Sequence, residues 1–395
     1  MNSSPASAPR LGSVDVYRGF VMCLMMGEVL RLCAVSSNLP ESAFWKFLCF
    51  HQSHVDWIGC SLHDLIQPSF SFLVGVSLPF SIASRSARGQ SFASMFGHAM
   101  GRALALTFLG VFLRSLGRSQ PNFTFEDTLS QIGLGYVFLF LAGFRPAREQ
   151  WAIMAGLLLG YWAAFALYPA PGSNFDYAAV GVAKGWPHLM QGFESHWNKN
   201  SNLAWAFDTW FLNLFPRERP FLYNGGGYAT LSFIPTLATM MLGLIAGGVL
   251  KGPRPAGAKS QWLALAGLSC LALGWSLGAL GVCPVVKKIW TPSWTLFSGG
   301  FCLLLLAGFY TVIDLRRCDW WASPLRVVGM NSIAAYGMDH LFGGWIRSTL
   351  RTFLGPNAFK VFGATYEPLV QGAAIFLVLW LMLYWMHRRR IYLRI

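Results

Sequence analysis

The stretch HQSHVDWIGCSLHDLIQPSFSFLVG, residues 51–75, changes character halfway along its length. Its first 14 residues hold three histidines and two aspartates, and the rest belongs to an apolar run that continues to Ala83. About 20 apolar residues are enough to cross a hydrocarbon core roughly 30 Å thick. The sequence therefore predicts a membrane-spanning helix from Leu62 to Ala83, with a cluster of ionisable groups at its mouth.

The composition of the whole chain supports this interpretation. Hydrophobic residues make up 54% of the 395 residues and charged residues only 12%, far from the range of soluble domains. The pattern predicts an all-α polytopic membrane bundle of about ten transmembrane helices, and nine or eleven also fit. The ten predicted spans are Gly12–Leu32, Leu62–Ala83, His98–Leu116, Thr128–Phe144, Trp151–Tyr168, Tyr228–Leu250, Trp262–Val282, Ser293–Ile313, Pro324–Ile346 and Leu369–Met386.

Basic residues between the spans indicate the orientation of the bundle. Short cytoplasmic loops carry an excess of lysine and arginine, and the larger share falls on one side, from Arg10 to Arg394. Both termini are therefore predicted to be cytoplasmic. Topology accounts for most of the net charge of +14, so no nucleic-acid partner is expected.

Two segments connect the predicted spans in distinctive ways. The long interval 169–227 is rich in tryptophan and asparagine, and it is predicted to form a small cap on the outer side between helices 5 and 6. The stretch 251–260, which begins KGPRPAGAK, is predicted to be a cytoplasmic linker between two helical halves. We expect residues 1–395 to form a single transmembrane domain.

The eight cysteines contain no CxxC pair. Cys33, Cys49, Cys60 and Cys283 fall on the predicted outer side. A disulfide such as Cys49 with Cys60 is compatible with an oxidising compartment there.

Several polar side chains are predicted at one depth of the bilayer. With a rise of 1.5 Å per residue, Glu28 lies about 24 Å along the first helix. By the same rule Asp339 and His340 lie about 21 Å along the ninth helix. The mouth of the second helix and Gln131 of the fourth reach the same outer level. Because a charge within the bilayer costs at least ~2.5 kcal/mol, such groups usually face a cavity and mark a functional site.

Each of these residues also has a structural interpretation. Asp64 could cap the second helix, and Glu28 could pair with Arg31 at i+3. Asp339 and His340 could form a buried network without chemistry. The remaining histidines of the stretch, His51 and His63, are more typical of interfacial positions.

The inner end of the first helix carries a different signal. In SVDVYRG, Asp15 and Arg18 stand at i and i+3, where the arginine is either a structural lock or a phosphate ligand. The sequence has neither a GxxxxGK[ST] nor a GxGxxG motif, so a nucleotide would be held by helix ends and basic loops. No HExxH spacing is present, and no metal is predicted.

A set of short motifs in fixed order resembles a known family. These motifs are SVDVYRG at 13–19, HVDWIG at 54–59, HDLIQPSFSFLVGVS at 63–77, YATLSFIPTLATMMLG at 228–243, PVVKKIW at 284–290 and GMNSIAAY at 329–336. Together they resemble the heparan-alpha-glucosaminide N-acetyltransferases, a family of transmembrane acetyltransferases with many bacterial relatives. The resemblance covers nearly the whole transmembrane chain.

The resemblance implies a specific reaction. Family members take acetyl from cytosolic acetyl-CoA and deliver it across the bilayer to the amine of a terminal glucosamine. The expected setting is a bacterial inner membrane with a periplasmic amino-sugar or glycan acceptor, in contact with membrane lipids and with a homodimer as one option. The family's catalytic histidine corresponds to His54 in HVDWIG, and the aspartate of its D-L-x-x-P run corresponds to Asp64. Relatives often carry asparagine where this chain has Glu28, which suggests a different contact with acetyl or acceptor.

The chemistry of thioester aminolysis fits these residues. A base that titrates near neutrality must take a proton from the amine, and histidine meets this requirement. His54 is therefore the predicted base, and Asp64 is predicted to orient its ring. Whether His54 is itself acetylated in a ping-pong cycle stays open.

The other predicted site residues fall into two groups. The acetyl-CoA group contains Arg18, Asp15, Asn331, Lys287 and Lys288, of which the two lysines could equally be interface anchors. The acceptor group contains Glu28, Asp339, His340 and Trp57.

Two other functions remain as alternatives. A transporter that moves a sugar or amino sugar without chemistry also suits a bundle with buried polar groups. Acylation of a different glycan hydroxyl or amine is the third option. The enzyme is favoured because His54 lies in an outer loop, whereas a transport site is expected near the bilayer centre.

Overall fold

The computed structural model describes residues 11–393, which are almost entirely helical. Short 3-10 turns join the helices, and within this range the single β-type pairing is a bridge between Ile58 and Val286. The fourteen α-helices are α1 (Gly12–Met26), α2 (Leu32–Asn38), α3 (Ala43–Gln52), α4 (Ile66–Ala87), α5 (Phe92–Ser115), α6 (Thr128–Ala142), α7 (Ala147–Leu167), α8 (Leu203–Phe211), α9 (Phe233–Lys251), α10 (Ala256–Ala279), α11 (Pro292–Phe309), α12 (Ser323–Met330), α13 (Ser332–Leu354) and α14 (Glu367–Arg388).

Seven helices between residues 11 and 393 are long and apolar enough to cross a membrane. They are His63–Ala87, Phe92–Ser115, Ala147–Leu167, Thr230–Lys251, Ala256–Ala279, Pro292–Leu315 and Ala364–Arg388. An eighth is obtained if the bent pair Gly12–Leu30 and Leu32–Asn38 counts as one span. The predicted count of ten is not confirmed. The chain termini, with Arg10 and Arg394, lie outside the described residues.

The fourth and the ninth predicted spans differ from the structure. The fourth is shorter than predicted, because α6 has only 15 residues and ends at Ala142. The ninth, expected from Pro324 to Ile346, is split into α12 and α13 at Asn331, whose ψ of 37° departs from the helical range.

The first span is broken near its end. After Met26 the chain tightens into a 3-10 turn, Gly27–Leu30, and Arg31 then adopts the left-handed conformation with φ 51°. The following helix α2 is bent by 41° from the first part. The break places Glu28 in the tight turn instead of inside a regular helix.

Contacts divide the described residues into two compact units. The larger unit contains residues 56–59 and 67–307, and the smaller contains residues 11–55, 60–66 and 308–393. The predicted cap and the predicted linker both fall inside the larger unit. The single transmembrane domain expected from the sequence stays a prediction.

Glycines allow helix backbones to approach closely within the larger unit. A methyl group added at Gly75 of α4 would lie 1.9 Å from the carbonyl oxygen of Met240 in α9. One added at Gly243 would lie 2.0 Å from the carbonyl oxygen of Phe72. Small residues at helix interfaces are a common means of packing in membranes, where lipid tails are as apolar as leucine.

The smaller unit uses the same device between α1 and α12. A methyl group at Gly19 would lie 1.8 Å from the carbonyl oxygen of Leu325, and one at Gly329 would lie 1.9 Å from that of Asp15. Helix α1 is therefore held tightly along α12.

Candidate active site

The pair formed by His54 and Asp64 is the centre of the candidate site. Both residues belong to the smaller unit, His54 in the loop after α3 and Asp64 in a 3-10 turn, His63–Leu65. Nδ1 of His54 lies 2.8 Å from Oδ1 of Asp64. The Asp64 side chain is fully buried, whereas 41% of the His54 side chain is exposed. Because a carboxylate only accepts, Nδ1 carries the hydrogen, and Nε2 is the basic nitrogen of the neutral ring.

The second oxygen of Asp64 organises the loop. Oδ2 accepts hydrogen bonds from the backbone N–H of Val55 at 3.2 Å and that of Ser61 at 3.0 Å. The Ser61 hydroxyl donates to the same oxygen at 3.0 Å. These donors come from the loop before Asp64, so the carboxylate binds this loop.

A second histidine and carboxylate lie beside the first pair. Nε2 of His63 lies 3.0 Å from Oε1 of Glu28, and the rings of His54 and His63 are 4.6 Å apart between centroids. The exposed fractions are 7% for the His63 side chain and 54% for that of Glu28. The sequence allowed a pair between Glu28 and Arg31, but the structure pairs Glu28 with His63.

The side chain of Gln52 connects α3 to the broken end of the first span. Its Nε2 donates to the carbonyl oxygen of Gly27 at 2.7 Å, and its Oε1 accepts from the backbone N–H of Leu32 at 2.6 Å. Both contacts flank Glu28 in sequence. Gln52 therefore holds the turn that presents the Glu28 carboxylate.

A disulfide joins the same two segments. It links Cys33 of α2 with Cys49 of α3, and Cys60 is a free thiol. The sequence pattern suggested Cys49 with Cys60 as one option, and the structure corrects that pairing. The bend at Arg31 brings Cys33 near Cys49. No motif in the sequence predicts this bend.

Two further predicted residues lie in electrostatic range of Glu28. His340 of α13 interacts with the Glu28 carboxylate, and so does Asp339. Nδ1 of His340 donates to the carbonyl oxygen of Tyr336 at 3.0 Å, and the two rings stack. Oδ1 of Asp339 is buried and has no hydrogen-bond partner among the described residues. The smaller unit therefore brings three carboxylates and three imidazoles into one region.

The predicted residues at the inner end of the first helix form a pair. Nη1 of Arg18 lies 3.7 Å from Oδ1 of Asp15, which is buried. Asn331, also predicted to bind the acetyl donor, holds the C-terminal segment instead. Its amide donates to the carbonyl oxygen of Ile391 at 2.9 Å and accepts from the N–H of Leu393 at 3.1 Å.

The remaining predicted residues belong to the larger unit. Trp57 is fully buried, and its indole N–H donates to the carbonyl oxygen of Trp197 at 3.2 Å, so its ring offers no open face. Lys287 is buried, and the ammonium of Lys288 lies 5.5 Å from the ring centroid of Tyr228. The Gln131 amide donates to three backbone carbonyls, those of Phe125, Ala229 and Thr230.

The candidate site is built from protein side chains. Within residues 11–393, no group of three histidine, cysteine, aspartate or glutamate side chains is arranged to hold a metal ion.

The sequence did not predict the partnership of His63 with Glu28 or the role of Gln52. Only the position of His63 next to Asp64 in the sequence could have drawn attention to it.

Comparison with known proteins supports the resemblance seen in the motifs. No protein-family model matches the chain. It is 25% identical to the human heparan-alpha-glucosaminide N-acetyltransferase over 376 residues, which cover 85% of this chain and 54% of the human protein. The mouse protein of the same name is 24% identical over 369 residues, covering 84% of this chain and 53% of that protein. The chain spans about half the length of these relatives. Over most of its own length the chain is thus similar to proteins named heparan-alpha-glucosaminide N-acetyltransferase.

Proposed function

We propose that this chain is a transmembrane acetyltransferase that moves acetyl from cytosolic acetyl-CoA to the amine of a glucosamine-type sugar on the outer side. The observation that carries the proposal is the contact of His54 with Asp64. A half-exposed imidazole whose Nδ1 is held by a buried carboxylate is an oriented general base. The similarity to named acetyltransferases supports the choice of reaction.

In the proposed reaction, the amine nitrogen attacks the acetyl carbonyl carbon and a C–N bond forms. The C–S bond of the thioester then breaks, and CoA leaves as the thiol. Nε2 of His54 takes the proton that the amine loses and passes it to the departing sulfur, while Asp64 stabilises the intervening imidazolium through Nδ1–H. An amide and free CoA are the products.

The acceptor is proposed to bind next to His54. Glu28 offers a half-exposed carboxylate for the ammonium or hydroxyl groups of an amino sugar. Asp339 and His340 lie in electrostatic range of that carboxylate and are proposed to complete the acceptor site. Trp57 is fully buried, and the acceptor role predicted for it stays a prediction.

The donor is proposed to enter from the cytoplasmic end of the first helix. Arg18 is charged at every relevant pH and is partly exposed, with Asp15 fixing its position. It is the proposed ligand of the CoA phosphates. Lys287 and Lys288 stay proposals for the pantetheine arm, whereas the amide of Asn331 already bonds the C-terminal segment.

The proposed setting is a bacterial inner membrane with the acceptor in the periplasm and lipids around the spans. A disulfide between Cys33 and Cys49 supports an oxidising compartment on the side of the candidate site. That side is also the outer one in the topology predicted from the basic residues. A homodimer is the proposed assembly.

Transfer of radiolabelled acetyl tests the proposal directly. The purified chain in nanodiscs is supplied with labelled acetyl-CoA and glucosamine, alongside His54→Ala and the control His98→Gln. His98 is an exposed histidine of α5, in the larger unit. We expect label in N-acetylglucosamine with the wild type and the control, and a loss of about 10²- to 10⁴-fold with His54→Ala, as for a lost general base.

Two results would contradict this proposal. Transfer by His54→Ala at the wild-type rate would remove His54 from the mechanism. A wild type that binds glucosamine but never acetyl-CoA would favour the transporter. Labelled protein isolated after incubation without acceptor, in the wild type but not in His54→Ala, would indicate a ping-pong cycle through His54.

A further inference from the structure

The proposed reaction leaves a proton to be removed. An amino sugar enters largely as an ammonium ion near neutral pH, because amines are basic. Its acetylation balances as R–NH₃⁺ plus acetyl-S-CoA giving R–NH–acetyl, CoA-SH and H⁺. One proton per turnover must therefore leave the site on the acceptor side. A base that keeps this proton cannot act in the next cycle.

Asp64 gives that proton no path to water. Its side chain is fully buried and accepts hydrogen bonds from His54, Val55 and Ser61. Its place in the site suits a group that orients His54. The His54 side chain is 41% exposed, so its proton can leave to water directly or through another neighbour.

His63 is that neighbour. Its ring centroid is 4.6 Å from that of His54, a separation that suits proton transfer directly or through one water. Its Nε2 is already bonded to Glu28 at 3.0 Å. The His63 side chain is only 7% exposed, but the Glu28 carboxylate beyond it is 54% exposed. The exposed fraction thus rises from the inner member of this second pair to the outer one.

We propose that His63 and Glu28 carry the transferred proton from His54 to solvent. This proposal rests on the proposed function. The proton passes from the acceptor nitrogen to Nε2 of His54, then to the ring of His63. His63 releases a proton from Nε2 to Oε1 of Glu28, and Glu28 releases it to water. No electron moves, and water is the one further reactant.

The arrangement explains two features that a simple ion pair would not require. The His63 ring lies in tilted contact with the ring of the candidate base, with 4.6 Å between the ring centroids. The turn that carries Glu28 is also fastened on both sides by Gln52, through Gly27 and Leu32. A carboxylate that only paired with His63 would need no such support.

Rescue by small buffers separates proton transfer from structural effects. His63→Gln keeps a side-chain donor near Glu28 but cannot relay a proton, and Glu28→Gln removes the basic oxygen. His98→Gln is the matched control. Transfer of labelled acetyl to glucosamine is measured over a series of imidazole concentrations at constant pH and ionic strength. The exposed position of Glu28 makes Glu28→Gln the variant less prone to misfolding.

We expect kcat of both variants to fall by at least about tenfold in dilute buffer, as for a lost proton-transfer group. Imidazole should restore kcat towards the wild-type value in both variants and leave His98→Gln unchanged. A loss of kcat that does not respond to imidazole would overturn the relay. So would a rise in the acceptor KM alone, which would assign Glu28 to binding only. A wild type without any acetyl transfer would instead overturn the proposed function itself.

Discussion

Nδ1 of His54 and Oδ1 of Asp64 are 2.8 Å apart, although ten positions separate the two residues in the sequence. The loop between them closes because Asp64 Oδ2 binds the backbone at both ends of the loop, at Val55 and Ser61. One carboxylate therefore shapes the loop and orients the candidate base. Substitutions of Asp64 can therefore affect the structure of the loop, the orientation of His54, or both.

Asp64→Asn is predicted to reduce acetyl transfer strongly while keeping the fold. The amide can still accept one hydrogen bond, but it cannot stabilise an imidazolium or fix the Nδ1–H tautomer. We expect kcat to fall by about 10²- to 10⁴-fold with a smaller change in KM. Steady-state transfer of labelled acetyl measures both constants.

Asp56→Asn is the matched control for that experiment. Asp56 lies in the same stretch, but it belongs to the larger unit, where it interacts with Lys199. It should transfer acetyl at close to the wild-type rate. Equal losses in the two variants would contradict a specific role for Asp64.

A second prediction concerns the disulfide between Cys33 and Cys49. The two cysteines are separated by 16 positions, and closing a loop of this size stabilises a fold by about 3 kcal/mol in the chain-entropy model. Cys33→Ala with Cys49→Ala should therefore lower the thermal unfolding temperature. It should also loosen α2 from α3, the helix that ends at Gln52, and so reduce activity.

Cysteine labelling provides the control for the disulfide. A maleimide applied to the unfolded, unreduced wild type should modify Cys60 and leave Cys33 and Cys49 unmodified, as read by peptide mass spectrometry. Modification of Cys33 with protection of Cys60 would contradict the pairing seen in the structure.

The helical membrane class could be predicted from the sequence because it follows from long apolar runs. Individual helix starts were predictable where a local cap exists. Helix α6 begins at Thr128 as expected, since the Asp127 side chain accepts hydrogen bonds from the N–H groups of Leu129 and Ser130. Such caps depend on residues within one turn of the chain.

The breaks at Arg31 and Asn331 could not be predicted because they depend on distant partners. Asn331 leaves the helical conformation where its amide binds the C-terminal residues Ile391 and Leu393. Near Arg31, Gln52 replaces helical bonding by contacts to Gly27 and Leu32. Neither of these two hydrogen-bonding side chains, Asn331 and Gln52, is marked by a periodic pattern in the sequence.

The candidate site likewise contains some residues that could be predicted from the sequence and others that could not. His54 and Asp64 could be named in advance because they lie in motifs that resemble a family. The partnership of His63 with Glu28 could not, since it requires the broken end of the first span to meet the loop after α3. The proton-carrier role that we propose for this pair therefore rests on contacts that the sequence does not reveal.

A third prediction tests the close packing of α1 on α12. Gly19→Ala should destabilise the protein by about 1–3 kcal/mol or more, because the added methyl meets the backbone oxygen of Leu325 at 1.8 Å. The thermal transition in detergent should shift to lower temperature. The control is Gly344→Ala in α13, where no atom lies within 4 Å of the added methyl. Alanine should be tolerated there or stabilise by up to about 1 kcal/mol. Equal transitions for both variants would contradict the close approach of α1 and α12.

The last prediction concerns Asp208, in α8 of the predicted outer cap. Its side chain is buried, with Oδ2 accepting from the N–H of Thr230 at 2.9 Å and Oδ1 without a hydrogen-bond partner among the described residues. Burial raises the pKa of this carboxyl from 3.8 to about 7, against the opposing effect of the Thr230 hydrogen bonds. The folded protein therefore binds a proton here at a pH where the unfolded chain has lost it.

The sign of the resulting pH dependence follows from proton linkage. Below about pH 4 Asp208 is protonated in both the folded and the unfolded protein, so its titration does not lower the free energy of unfolding. Between about pH 4 and 7 the unfolded state loses its proton first, so the free energy of unfolding falls as pH rises. Over the whole interval the loss is roughly 4 kcal/mol as an upper value. Above about pH 7 Asp208 is ionised in both states, so it no longer makes the free energy of unfolding depend on pH.

Asp208→Asn should remove that penalty, because its carbonyl oxygen can still accept from Thr230 while no charge needs to be buried. The difference in thermal unfolding temperature between the variant and the wild type should grow from pH 5 to pH 7 and then stay level. Tryptophan fluorescence in detergent at several pH values measures it, with Asp176→Asn, an exposed aspartate of the same interval, as control. A difference independent of pH, or one that shrinks as pH rises, would mean that Asp208 is ionised in the folded protein throughout this range, held by charges stronger than the desolvation around it.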